Sequence, residues 1–295
     1  MLDLLHGVGF GLVTASILAL ATVGLSLQYS VTNVPNFAQG ELMTLGAYGA
    51  YATDHLLHNL VLEAVVALIL GGAMGWFMNH FLIQPFSRRG TRGITMLVVT
   101  LGFALVVQNS ILAIFGGSEV EFHLPVSKPS HVGPFILTSR DGLIIVSAIA
   151  VLLGVHVILR YTRAGKAMRA VADNVDLARI TGINSGRVIE LTWLAAGAMA
   201  GFSGFVLGVQ VGVLTPTIGF AFLLVVFAAA ILGGIGQVYG AMLGALIIGI
   251  GMEVSAVYIP GDYKQTVAFA ALILTLLFRP SGIIKAPSRH VVEGI

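Results

Sequence analysis

Three glutamates stand where an ionised side chain is expensive. Glu41, Glu63 and Glu253 each fall inside or at the edge of a long apolar run, as does the neutral polar pair Gln108 and Asn109. A charge at membrane depth survives where it faces a bundle interior, a partner or a water-filled cavity, so such groups mark candidate paths for polar solutes. Glu41 is the most suggestive, because Asn33, Pro35, Asn36 and Gln39 crowd the same short stretch between two apolar runs. Glu63 is close enough to a run's end to reach the interface, and Gln108 with Asn109 suits hydrogen bonding between helices. Glu253 lies deeper, before Tyr258, and can face the interior. No file of acids forms a proton relay, and no arginine ladder forms a voltage sensor.

Other chemistry is missing from the sequence. There is no cysteine, hence no disulfide, thiolate metal site or cysteine nucleophile. No Gly-x-x-x-x-Gly-Lys-[Ser/Thr] is present, so no P-loop for ATP phosphates, and neither His-Glu-x-x-His nor Gly-x-Ser-x-Gly occurs. His55 and His58 lie three apart at the end of an apolar run and read as water-facing loop residues. Gly234-x-Gly236-x-x-x-Gly240 has the wrong spacing for a dinucleotide fingerprint, with no preceding strand. Without a convergent acid, base and nucleophile set, transport or conduction is the expected class, with no bound cofactor and no metal.

The elements that must position these groups follow from composition. The 295 residues are 57% hydrophobic and 9% charged, with a mean hydropathy of +0.97. A soluble domain carries about a quarter charged residues. A crossing helix needs about 20 mostly apolar residues, and such runs lie near 8–28, 38–57, 60–82, 94–115, 142–159, 188–209, 219–235, 240–259 and 265–279. These runs do not alternate as barrel strands do. The expected fold is an all-α polytopic transmembrane bundle of eight or nine spans, a single domain over 1–295. Met1–Gly7 contains only Asp3 and His6 as ionisable side chains and the run passes directly into another, so the first run reads as a retained helix rather than a signal peptide.

Basic residues set the orientation. Arg88, Arg89 and Arg92 share one loop; Arg160, Arg163, Lys166, Arg169, Arg179 and Arg187 share a second; Arg279, Lys285 and Arg289 end the chain. Lys128, Arg140 and Lys264 fall on the other side of a nine-span path. The N-terminus is then outside and the C-terminus cytoplasmic, and the net charge of +2 is topology rather than a nucleic-acid footprint. Val34–Glu41 is either a tight cytoplasmic turn or a broken, re-entrant helix lining a path, and 215–220 poses the same question. Glycine, 37 residues, recurs at spacings of four: Gly71 and Gly75; Gly197 and Gly201; Gly204, Gly208 and Gly212; Gly236, Gly240 and Gly244. Small residues so spaced let membrane helices approach closely.

The long basic segment at 160–187 is expected to hold one cytosolic helix over Ala164–Ile180, stopped by Gly182, with Asn184 capping the next. Ala167, Ala170, Val171, Asn174, Ala178 and Gly182 fall near one side of it, a shallow face that either lies against the membrane surface or, the better fit, docks a cytosolic partner.

Several motifs in one order resemble a known family: Val34–Glu41 followed by Gly46-Ala47-Tyr48, the loop Arg163–Asn184, Pro216–Phe220, Ala228–Gly236 leading to Gly240-Ala241, and the tail Leu276–Ile284. Over essentially its whole length the chain resembles the first permease subunit of bacterial ATP-binding-cassette importers for branched-chain amino acids. The resemblance implies a type II importer-like permease with inverted repeats, set in the bacterial inner membrane beside lipid. It also implies two cytosolic ATPases that hold the ATP and magnesium, a second homologous permease and a periplasmic binding protein. Arg163, Gly165, Lys166, Arg169, Asp173, Asn174, Ala178 and Gly182 match the coupling loop to the ATPase. Asn36, Gln39, Glu41, Gln108, Pro216 and Glu253 are the candidate translocation path. Gln39 stands where the family often has histidine and Val226 where lysine is common, so urea or short amides are an alternative substrate class. A stand-alone channel or ion-coupled carrier is the rival from another class.

Overall fold

The computed structural model describes residues 2–91, 93–122, 129–132 and 135–284; Arg92, Lys128, Lys285 and Arg289 of the topology argument lie outside them. The helices, in order, are α1 (Leu2–Thr32), α2 (Gln39–Leu57), α3 (Leu60–Met78), α4 (Gln84–Arg88), α5 (Ile94–Phe115), α6 (Ser139–Tyr161), α7 (Arg163–Asp173), α8 (Val175–Ile180), α9 (Ser185–Val211), α10 (Ile218–Gly233), α11 (Val238–Ser255) and α12 (Lys264–Phe278). A π-helical turn, Asn79–Ile83, joins α3 to α4. Among the described residues four short strands accompany them: β1 (Val120–Glu121) pairs with β4 (Val213–Leu214), and β2 (Pro129–Val132) with β3 (Phe135–Thr138), both antiparallel. The sequence signalled none of these strands.

Each of the nine apolar runs coincides with a helix. Six are long and apolar enough to cross a membrane: Leu4–Thr32, Leu60–Arg88, Ile94–Phe115, Ser139–Tyr161, Ser185–Val211 and Val238–Ser255. The 16-residue α10 rises only about 24 Å, short of a hydrocarbon core about 30 Å thick. α1 and α9 form the centre, buried along most of their length. α6 instead exposes Leu143, Val146, Ile149, Leu153 and Val157 at helical spacing, the outward apolar stripe that lipid requires.

The glycine spacing has a specific consequence. Gly71 and Gly75 of α3 lie directly on Gly197 and Gly201 of α9, so that a methyl group at Gly71 or Gly197 would overlap the opposing backbone. α10 meets α11 the same way through Gly233, Gly240 and Gly244, and α2 meets α10 through Gly40 and Gly219. Two of the expected packing glycines do other work. Gly212 (φ 77°) ends α9 and Gly236 (φ 85°) lies in the loop before α11, both in the left-handed region where glycine costs least.

Candidate functional site

α1 ends because Asn33 turns left-handed at φ 54°, and α2 starts six residues later. The linking backbone is held from within. Asn36 Oδ1 accepts from the Ala38 amide at 3.0 Å, while its Nδ2 donates to Gln28 Oε1 at 3.2 Å. Thr100 of α5 donates to the Pro35 carbonyl and accepts from the Phe37 amide at 3.2 Å. Val34, Asn36 and Ala38 are buried. This is irregular backbone covered by protein rather than a solvated turn.

Around it gathers a buried polar cluster. Thr22, Ser26 and Gln28 of α1, Asn36 of the link, and Gln39, Glu41 and Thr44 of α2 are each at most 1% exposed. Gln39 Nε2 donates to the Ala21 carbonyl at 3.1 Å, and Thr44 accepts from the Gly219 amide at 3.2 Å. Thr22 Oγ1, Ser26 Oγ, Gln28 Nε2, Gln39 Oε1 and both Glu41 carboxylate oxygens have no partner among the described residues. Buried polar atoms are nearly always paired, so a concentration of unpaired ones is what a polar solute or a water file would satisfy. Pro216 is buried in the segment that leads into α10 and Gly219.

Asn36 and Gln39 both bond to α1, through Gln28 and the Ala21 carbonyl, and Glu41 is buried two residues further along α2, whereas Glu253 is bound elsewhere. Gln108 is half-buried on α5, and its neighbour Asn109 is exposed and donates to Leu105 of the same helix. Glu253 accepts from Thr14 Oγ1 at 2.9 Å and from Lys264 Nζ at 2.6 Å, tying α1, α11 and α12 together. Glu63 is turned inward, 1% exposed, rather than reaching an interface. Val226 is buried in the central core. Thr22, Ser26 and Gln28 were missed; their signal is a polar row at spacings of four and two within an apolar run.

Removing Lys264 leaves the Glu253 carboxylate half-buried with only a hydroxyl. Lys264→Met is expected to lower the detergent unfolding midpoint, by about 1 kcal/mol of stability given the partial exposure of the pair. Glu253→Gln combined with Lys264→Met is expected to recover most of that loss, read from the same melting curves.

The segment after α6 is two helices, which corrects the single helix expected over 164–180. Thr162 caps α7 by accepting from the Gly165 amide at 3.1 Å, and Gly165 lies against the Ile158 carbonyl, making a sharp corner. α7 stops at Asn174, whose backbone is extended (φ −155°, ψ 107°) because its side chain caps α8, accepting from the Asp176 and Leu177 amides. Asparagine prefers capping to a helix interior. Gly182 (φ 85°) ends the pair, and Asn184 caps α9 through the Arg187 amide.

The expected docking face is also redistributed. Val171 and Ala178, with Met168, pack inward on Leu27, Val31, Leu159 and Val188. Ala167 and Ala170 are half-buried, whereas Asn174 and Gly182 are exposed as cap and terminator. The outward surface carries Arg163, Lys166, Arg169 and Asp173, with Leu177 and Ile180 of α8 58% and 83% exposed. Gly165 and Ala178 hold the unit to the bundle.

A multi-pass apolar helical bundle, with an interior polar cluster and a charged helical pair on one end, defines a membrane transport subunit. Over residues 7–276 the chain matches the family described as the branched-chain amino acid transport system permease component, and it belongs to that family. It is 33% identical over 294 residues to the high-affinity branched-chain amino acid transport system permease protein LivH of Escherichia coli K12, with 94% of each chain covered. It is 33% identical to BraD of Pseudomonas aeruginosa, which has the same description, again over 94% of each chain. The LivM permease of Escherichia coli K12 is 26% identical over 81% of this chain and 61% of its own.

Proposed function

We propose that this chain is one of two translocation subunits of an importer that carries branched-chain amino acids into the cytoplasm. ATP and magnesium are bound by two cytosolic ATPase partners, and a binding protein delivers substrate from outside. The reading is carried by the identity to LivH and BraD, sustained over 94% of the chain. The lower but extended similarity to LivM supports pairing with a second, homologous permease. The N-terminus is outside, and α7 and α8 lie on the cytoplasmic side, where Arg163, Lys166, Arg169, Asp173, Asn174 and Gly182 face an ATPase. The buried cluster of Asn36, Gln39 and Glu41, joined by Thr22, Ser26 and Gln28, is the polar part of the path.

The test is reconstitution of the assembled complex with its binding protein in proteoliposomes. Uptake of leucine, isoleucine and valine is expected to exceed that of urea and acetamide; preference for the amides would overturn the substrate assignment. ATP-independent uptake would favour the channel or carrier. Gln39→Leu removes a buried acceptor and donor with a side chain of one fewer non-hydrogen atom. It is expected to slow uptake about tenfold, the effect of some 1.4 kcal/mol on the rate-limiting step, with ATPase docking unchanged. Uptake at the wild-type rate would remove Gln39 from the path.

A further inference from the structure

A second polar feature lies at the α7/α8 end of the bundle, reaching the α1–α2 link at Asn33 and Val34. A cavity of about 920 Å³ opens there between the end of α1 and its link, the π-helical turn, the start of α5, α8 and the start of α9. Asn79, the first residue of the π-helical turn, lines it. Asn79 is 1% exposed, and neither its Oδ1 nor its Nδ2 has a hydrogen-bond partner among the described residues. Such turns commonly occur at functional sites. An unpaired buried amide costs free energy unless something enters to satisfy it.

The rest of the lining says what could enter. Arg88 is exposed at the rim, with no ion-pair partner among the described residues. On the opposite wall α8 presents Asp176, 3.7 Å from Arg179 Nη1. Between these poles lie the aliphatic side chains of Ile83 and Ile189. A cation at the rim, an unpaired amide, the Asp176–Arg179 pair with a carboxylate oxygen open to solvent, and an aliphatic wall in one cleft complement a free aliphatic amino acid. Its carboxylate would meet Arg88 and Asn79, its ammonium Asp176, and its side chain the isoleucines. The volume falls in the usual range for small-molecule sites.

We propose that this cavity binds a branched aliphatic amino acid entering from the cytoplasm, and that occupancy slows transport. The inference rests on the proposed function for its direction. Its physical basis is that one wall belongs to α8 and the other to the α3–α4 continuation, so a bound ligand ties the helical pair to the membrane helices. A ligand that prefers one arrangement of a moving element shifts the balance toward it.

The experiment uses the complete complex in proteoliposomes loaded with ATP, with and without unlabelled leucine inside, while labelled isoleucine is supplied outside with the binding protein. With internal leucine at twice its Kd, initial uptake is expected to fall about threefold, as two-thirds occupancy requires. Arg88→Ala and Asn79→Leu are expected to take up isoleucine normally without internal leucine and to be insensitive to it. An unchanged wild-type rate, or equal inhibition of wild type and Arg88→Ala, overturns the proposal. Arg88 is exposed, so its variant remains informative if Asn79→Leu fails to fold. Equilibrium dialysis of labelled leucine against the purified complex without binding protein separates this from the transport reading. Binding lost in Arg88→Ala supports the site even where uptake is absent, and no binding to the wild type removes the site even where uptake is present.

Discussion

Replacing both Leu177 and Ile180 by aspartate is expected to abolish uptake while leaving the bundle folded. These two side chains are the large apolar groups that α8 turns outward, 58% and 83% exposed on an otherwise charged surface. Desolvated apolar anchors carry most of the energy of a protein interface, and burying an unpaired carboxylate opposes docking by several kcal/mol. A loss of about 3 kcal/mol corresponds to roughly a hundredfold weaker association. The ATPase subunits should therefore no longer co-purify with the permease, and ATP-driven uptake should fall to background. Helical content and the unfolding midpoint should stay near wild type, because neither residue supports the core. Retained co-purification with normal uptake would show that the ATPase docks elsewhere.

Gly201→Leu is expected to prevent the protein from accumulating in the membrane. A side chain at this position would overlap the Ala67 carbonyl, with Gly71 beside it, and neither backbone can yield without separating α3 from α9. Overpacking typically costs about 1–3 kcal/mol even where neighbours are flexible side chains. Here the obstacle is main chain, so the cost should reach or exceed the top of that range. Gly102→Ala provides the contrast. Nothing lies within 4 Å of a Cβ there, and alanine favours helix by roughly 0.8–1 kcal/mol. Expression and detergent melting of the two variants should differ sharply; similar behaviour would mean that the α3–α9 contact is not tight.

Hydropathy located all nine apolar helices because lipid imposes one simple rule on every exposed side chain. It could not set their ends, which depend on local hydrogen bonds. α6 begins at Ser139, earlier than its apolar run, because Thr138 and Asp141 form a reciprocal cap, with the Thr138 amide donating to Asp141 Oδ2 at 2.8 Å. The break at Asn174 escaped notice for a similar reason. Alanine, leucine and arginine on both sides favour helix, and only the competition between capping and propagation decides for two short helices. The glycine pairs were legible as close-packing residues, but their partners were not, since spacing within a helix does not say which helix it meets. Asn36, Gln39 and Glu41 stood out as polar residues crowded into an apolar context. Thr22 and Ser26 did not, because isolated hydroxyls are common in membrane helices and bond to their own backbone, as Thr192 does to the Val188 carbonyl.

The glycine contact between α3 and α9 also constrains how this molecule changes shape. Where main chain rests on main chain, no rotamer can absorb a shift, so the two helices must travel as one plank. Rearrangement during a pumping stroke then falls to joints cushioned by long side chains, such as the tilted Tyr48–Phe115 pair between α2 and α5, whose ring centres are 4.9 Å apart. The plank extends without a loop through the π-helical turn into α4 and starts at Ser185, three residues after the Gly182 terminator. Any displacement of the short helical pair is thereby delivered to a stiff member rather than lost in a hinge.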